Sequence, residues 1–161
     1  MKLIKALFLL AAISLPVSAM AEISDDDYMK MTEALGSGDV KTVKKFLEKD
    51  AGVNDVYFGW SALQIAANKG QLSVVKLLAE KGADLNYKHP LTKLTALQLA
   101  AYGSYTNVVK YLAAKGADVN SKMRGDVSIV RGLHDEGNTK MADLLLSLGS
   151  KEDGCLTEKC N

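Results

Sequence analysis

Cysteine is almost absent from this chain. Its 161 residues hold only Cys155 and Cys160, both near the C-terminus. That excludes a scaffold organised by many disulfides. The C-x4-C spacing lacks the C-x-x-C arrangement of a redox pair. It is also unusual for a structural zinc knuckle, and only His89 and His134, far apart in sequence, remain to complete a site. In an exported protein the adjacent pair is expected to form a disulfide. Closing a six-residue ring contributes about 2 kcal/mol in the chain-entropy picture and would tie down the tail.

Long apolar runs are equally scarce. The one at the start, within "MKLIKALFLLAAISLPVSAMA", extends from Ala6 to Leu15, too short to span a bilayer comfortably. Lys2 and Lys5 precede it, Pro16 breaks it, and Ala19-Met20-Ala21 forms an A-x-A cleavage signal. This three-part pattern is that of a secretory signal peptide over residues 1–21, the competing reading being an uncleaved anchor. No cysteine follows the run, which argues against a lipid anchor. The expectation is a mature chain starting near Glu22, with a short, lysine-led signal of bacterial type. Its location would be the periplasm, with secretion as the alternative.

An excess of one charge is missing too. Without Lys2 and Lys5, the 20 basic residues become 18 against 19 acidic ones. Such a balance predicts no nucleic-acid partner and no membrane partner once the signal is removed, since either favours a basic face. What remains is about 140 residues, the size of one domain, expected to be soluble and monomeric on its own.

What the chain does have is repetition. "GDVKTVKKFLEKDAGVN" (38–54), "GQLSVVKLLAEKGADLN" (70–86) and "SYTNVVKYLAAKGADVN" (104–120) begin 32 and 34 positions apart. "GNTKMADLLLSLGSK" begins 33 positions later, at Gly137. A period near 33 residues indicates stacked units. Val74, Val75, Leu77 and Leu78 place one apolar face on a short helix, with Ser73, Lys76 and Glu80 turned elsewhere. Gly82, Gly116 and Gly149 supply the left-handed conformation that ends each such helix, a place held by Asp50 in the first unit. Upstream, "SALQIAANKG" and "TALQLAAYGS" form a second kind of helix, capped by Ser61 and Thr95. The pairs Ala66-Ala67 and Ala100-Ala101 allow close approach of neighbouring helices. In the end units, Ser24 or Asp25 opens a helix with acids in its first turn. Gly132 falls inside a helix at a cost of about 1 kcal/mol against alanine, which predicts a short or distorted element there.

These residues resemble ankyrin repeats, whose core reads T-P-L-H-x-A-A, then V-V-x-L-L, then G-A-D-V-N. The likeness covers roughly residues 25–150 and is strongest over 59–120. Ala62 and Ala96 replace the helix-opening proline, and Gln64 and Gln98 the histidine that knits neighbouring turns; an amide can still bridge backbone groups. The resemblance implies an all-α solenoid of about four helix-turn-helix units joined by short extended connectors. The units lie near 25–56, 57–90, 91–123 and 124–151, within a repeat domain over 22–151, and a tail follows over 152–161.

No catalytic constellation emerges. "GWSAL" has Leu63 where a nucleophile elbow needs glycine, and Ser61 is already used as a cap. "GSGDVKT" lacks phosphate-loop spacing, and "RGD" at 124–126 is too short to carry an adhesion function. Asp25, Asp26 and Asp27 read as a solvated capping turn rather than a cation site. The expectation is a non-enzyme without cofactor or metal.

The resemblance further implies a protein-binding scaffold that uses its connector tips and the exposed side of its first helices. Carried over, the variable positions are Tyr57, Phe58, Trp60, Asn68 and Lys69 in the second unit. In the third they are Leu91, Thr92, Leu94 and Tyr102; the fourth offers Arg124, Val127, Asp135 and Glu136. The third connector is one residue longer, and Tyr87, Lys88, His89 and Pro90 should form its tip. Clustered aromatics predict an exposed patch at which another protein binds, with folding of Phe58, Trp60 or Tyr57 into the core as the alternative. Small exported bacterial proteins of this general look include some associated with catalases and peroxide resistance. Others resemble immunity proteins that neutralise a toxic effector, and a secreted effector is a further alternative.

Overall fold

A computed structural model describes residues 24–49 and 51–153. The signal-peptide reading, Asp50 and the Cys155–Cys160 pair lie outside the described residues. Among those described, eight helices form four antiparallel pairs: α1 (Asp25–Ser37) with α2 (Val40–Lys49), α3 (Ala62–Asn68) with α4 (Leu72–Glu80), α5 (Ala96–Tyr102) with α6 (Thr106–Ala114), and α7 (Ile129–Asp135) with α8 (Thr139–Ser147). The chain is mostly helical, as expected of a helix-turn-helix solenoid. The little strand described is β1 (Val56–Tyr57) and β2 (Trp60–Ser61), antiparallel, with Tyr57 opposite Trp60.

Local chemistry sets each helix end. Ser24 Oγ accepts the N–H of Asp27 and opens α1 behind three acids. Ser61 and Thr95 open α3 and α5 with complete capping boxes: each hydroxyl accepts the N–H three residues on, and Gln64 or Gln98 accepts the cap's own N–H at 3.0 Å. The opposite end of each amide reaches into the next unit. Gln64 Nε2 donates to Leu94 O at 2.7 Å and Tyr87 O at 3.2 Å, and Gln98 Nε2 to Ser121 O at 2.6 Å. Glutamine therefore knits the turns here.

The repeated Gly-Ala-Asp-x-Asn run has an equally direct role. Gly82, Gly116 and Gly149 all have φ near +90°, which glycine adopts without the Cβ penalty. Asp84 and Asp118 then accept the N–H of Asn86 and Asn120. Each asparagine in turn accepts an N–H from the following unit: Asn54 from Asp84, Asn86 from Asp118, and Asn120 from Lys151, all at 2.8 Å. Repetition thus builds a ladder of side-chain bonds along the stack. The apolar core runs beside it, through Leu63, Val75 and Leu78, then Leu97, Val109 and Leu112, then Ile129, Leu133 and Leu145. The alanine pairs are fully buried between helices.

The fourth unit departs from expectation. α7 has seven residues, as α3 and α5 do, so Gly132 neither shortens nor interrupts it. Packing explains the glycine: a Cβ there would collide with the Tyr102 hydroxyl and approach Met123 Cε at 3.1 Å.

Candidate functional site

The connectors fold as tight fingers that lean on one another. In the third, His89 N donates to Leu94 O and Lys93 N to His89 O, with Lys93 left-handed at φ +62°. His89 Nδ1 lies 3.4 and 3.3 Å from the N–H groups of Leu91 and Thr92, acting as their acceptor. Its ring stacks on Trp60 at 4.0 Å between centroids. In the fourth finger Met123 N donates to Val127 O around the left-handed Gly125 and Asp126. Arg124 N donates to Thr92 O, tying the two fingers together.

Between these fingers and their inner helices lies a groove of about 700 Å³. α3 packs broadly along α5, whereas α5 and α7 make far less direct contact. Sequence register gives the reason. Four residues after each cap stand Ile65, Leu99 and Gly132, so the fourth unit has no side chain where its predecessors have a branched one. Tyr102 lies over that gap, its hydroxyl 3.4 Å from Met123 Sδ. Leu91, Leu94, Met123 and Val127 complete the apolar walls, and Arg124 and Glu136 give the rim charges of opposite sign. Leu91 is 74% exposed, an apolar side chain held out of the core at the groove's edge. Burial, followed by the charges of Glu136 and Asp135, pushes the Tyr102 phenol above its ordinary value, so it stays neutral through the physiological range.

Of the sequence-derived positions, Leu91, Thr92, Leu94, Tyr102, Arg124, Val127 and Glu136 come together around this groove. Others do not. Tyr57 is only 1% exposed, packed against Tyr28 at 4.8 Å, so its expected exposure is corrected: it belongs to the core beneath the first unit. His89 is 7% exposed, so its expected place at an open tip is corrected as well. A buried ring that accepts backbone N–H groups shapes the finger instead. Tyr87 is half-buried and donates its hydroxyl to Gly59 O at 3.1 Å, which leaves Lys88 and Pro90 exposed at the tip.

The expected single aromatic patch is divided. Phe58, 74% exposed at φ +52°, meets Tyr28 edge-on at 5.1 Å, while half-buried Trp60 turns to His89. Asn68 and Lys69 are exposed at the end of α3. Sequence reasoning passed over Met123 and Gly132 as site residues, although the Ile65–Leu99–Gly132 register carried the signal for the gap. Among the described residues no three His, Cys, Asp or Glu side chains gather as a metal site.

A family model described as ankyrin repeats in three copies matches residues 31–123. No curated protein matches the chain.

Proposed function

This chain belongs to the ankyrin repeat family, whose arrays are protein–protein interaction modules and generally non-catalytic; on that premise we propose that it is an exported binding module holding one partner protein in the groove between its third and fourth units. The observation that carries the reading is Leu91, largely presented to solvent beside apolar walls that Gly132 keeps open. A partner would seat an apolar or aromatic side chain there, with Arg124 and Glu136 fixing its orientation. Such an anchor in a desolvated pocket supplies a large share of interface energy.

The N-terminal pattern of Lys2, Lys5, the apolar run 6–15 and Ala19-Met20-Ala21 supports export to the periplasm. There the module would shield its partner, and likeness to small exported proteins associated with catalases makes an oxidative-stress enzyme the partner of choice. Affinity capture by the immobilised chain, compared with Leu91→Ser and Tyr102→Ala variants, tests this. Purified catalase is the first probe. Retention by the wild type, about thirtyfold weaker for the variants, is expected from losing a central anchor. Retention instead of a toxic hydrolase or nuclease would reassign the protein to immunity. Equal retention by the wild type and both variants would overturn the groove.

A further inference from the structure

The outer helices gather lysines that the balanced composition conceals. Lys44, Lys76 and Lys110 occupy one equivalent position in α2, α4 and α6. Lys49 ends α2, and Lys81 and Lys115 are the C-caps of α4 and α6. All six are exposed. With Lys41, Lys45 and Lys140, the described outer helices and caps hold nine lysines against Asp39, Glu48, Glu80 and Asp143, an excess of five positive charges. The inner helices and caps run the other way, six acids against Lys30, Lys69 and Arg131. The chain's formal charge is only +1. Charge is therefore segregated by face, and the expectation of no anionic-membrane partner averaged over two unlike surfaces.

Little neutralises the basic face. Lys44 has Glu48 at 3.8 Å. Lys76 and Lys115 lie 5.8 and 5.6 Å from the Tyr111 ring centroid, contacts that keep their charge. Asp84 and Asp118 sit in the turns beyond the rows, each engaged with a backbone N–H. Because α2 packs on α4 and α4 on α6, the rows run side by side across three units. At 8–10 Å between neighbouring axes they span about 20 Å. In the fourth unit Asp143 and Leu148 take the equivalent places, and both rows end.

We propose that this outer face docks on an anionic lipid surface, leaving the groove and connector tips on the opposite side free for a protein partner. Two observations favour lipid headgroups over a nucleic acid. The cations are all lysines, compact charges without the planar fork that reads phosphates or base edges in pairs. Of the aromatic side chains on these helices and caps, Phe46 and Tyr111 are half-buried, the latter with its hydroxyl enclosed, and Tyr105 stands at the opposite end of α6 from Lys115, so they form no platform for stacked bases.

The test is sedimentation of the full chain with vesicles of mixed phosphatidylglycerol and phosphatidylcholine, against phosphatidylcholine alone. The apolar run near the N-terminus is common to every variant, so its own lipid affinity cancels in the comparison. Uptake should depend on phosphatidylglycerol and fall steeply with salt. Each lysine near an anionic surface is worth about fivefold, so joint Lys44→Gln, Lys76→Gln and Lys110→Gln should weaken uptake about a hundredfold. Lys49→Gln, Lys81→Gln and Lys115→Gln together provide a second set should the first disturb the helices, which circular dichroism checks. Lys88→Gln with Lys93→Gln, on the third finger, should leave uptake unchanged. Equal uptake on both vesicle types, equal loss from the finger lysines, or tighter binding to DNA than to the vesicles would overturn the proposal. Leu91→Ser should lose partner capture yet keep vesicle binding, so the two readings fail separately.

Discussion

The Asp153 carboxylate accepts the backbone N–H of Ser128 and also pairs with Lys122. In the second and third units Gln64 and Gln98 accept the N–H of their own caps from within the helix. In the fourth that position is Arg131, which has no acceptor to offer. A residue from beyond the last helix thus closes the final capping box and completes the stack.

Asp153→Ala should therefore loosen α7 by about 1.5–3 kcal/mol, the range for a hydrogen bond to a charged group. Burial pushes the Asp153 carboxyl up, but hydrogen bonds from Lys122 and Ser128, with the Lys122 charge, outweigh it and hold the group below its usual range. A depressed carboxylate stabilises fully above the unfolded value near 4 and loses that contribution as pH falls through the folded value. Thermal melts of wild type and variant should converge in acid below about pH 4. A gap that persists unchanged there would show that charge is not what Asp153 supplies.

Gln98 sets a sharper test of the stacking interface. Its amide is buried, accepting from Thr95 N and donating to Ser121 O. Gln98→Leu keeps much of the volume but orphans two buried backbone groups, at about 1–3 kcal/mol each. A melting temperature lower by at least several degrees is expected. Gln98→His should be milder, because a neutral imidazole can accept through one nitrogen and donate through the other. Chemical denaturation of the three proteins gives the ranking directly.

Much of this architecture was legible because each unit repeats the same local solutions. Ser61, Thr95, Gly82 and Gly116 act through caps and backbone conformation, which depend on neighbours in sequence. The fate of Tyr57, Trp60 and His89 depends on residues one unit away. Tyr28, thirty residues before Phe58, accepts that residue's N–H at 2.7 Å and draws this finger toward the first unit. No pattern within "VYFGW" distinguishes the side chain packed on Tyr28 from the one left in solvent. The groove falls between these cases: its walls follow from family positions, but its depth comes from a missing side chain at Gly132.

That missing side chain yields a separation of stability from function. Gly132→Ala gains about 1 kcal/mol of helix propensity. The new methyl would strike the far end of the half-exposed Tyr102 ring, which can swing away at modest cost. Stability should thus change by less than about 1 kcal/mol while the groove loses its shape. Partner capture should fall despite an unchanged melt, and the ring resonances of Tyr102 should shift. A variant that melts far below wild type would mean that Tyr102 is locked in place.

Tyr57 offers the plainest check that the first finger is core. Its ring is buried and its hydroxyl is enclosed without a partner. Burial, then the nearby Asp55 charge and Tyr28, pushes its phenol up to about 12. A raised group contributes in full below the unfolded value near 10, and that contribution is lost as pH rises from there through the folded value. The wild type should accordingly lose stability between about pH 10 and 12, and Tyr57→Phe should remove this residue's share of the loss. At neutral pH the phenylalanine variant drops an unsatisfied hydroxyl while keeping the ring, so a gain of about 1 kcal/mol is expected. Tyr57→Ala removes the ring as well and should cost about 3–5 kcal/mol, as truncating a buried aromatic does. Denaturant titrations at neutral and alkaline pH measure all three. If Tyr57→Ala instead left stability intact, the ring would have to lie open to solvent, and the finger would return to the binding surface.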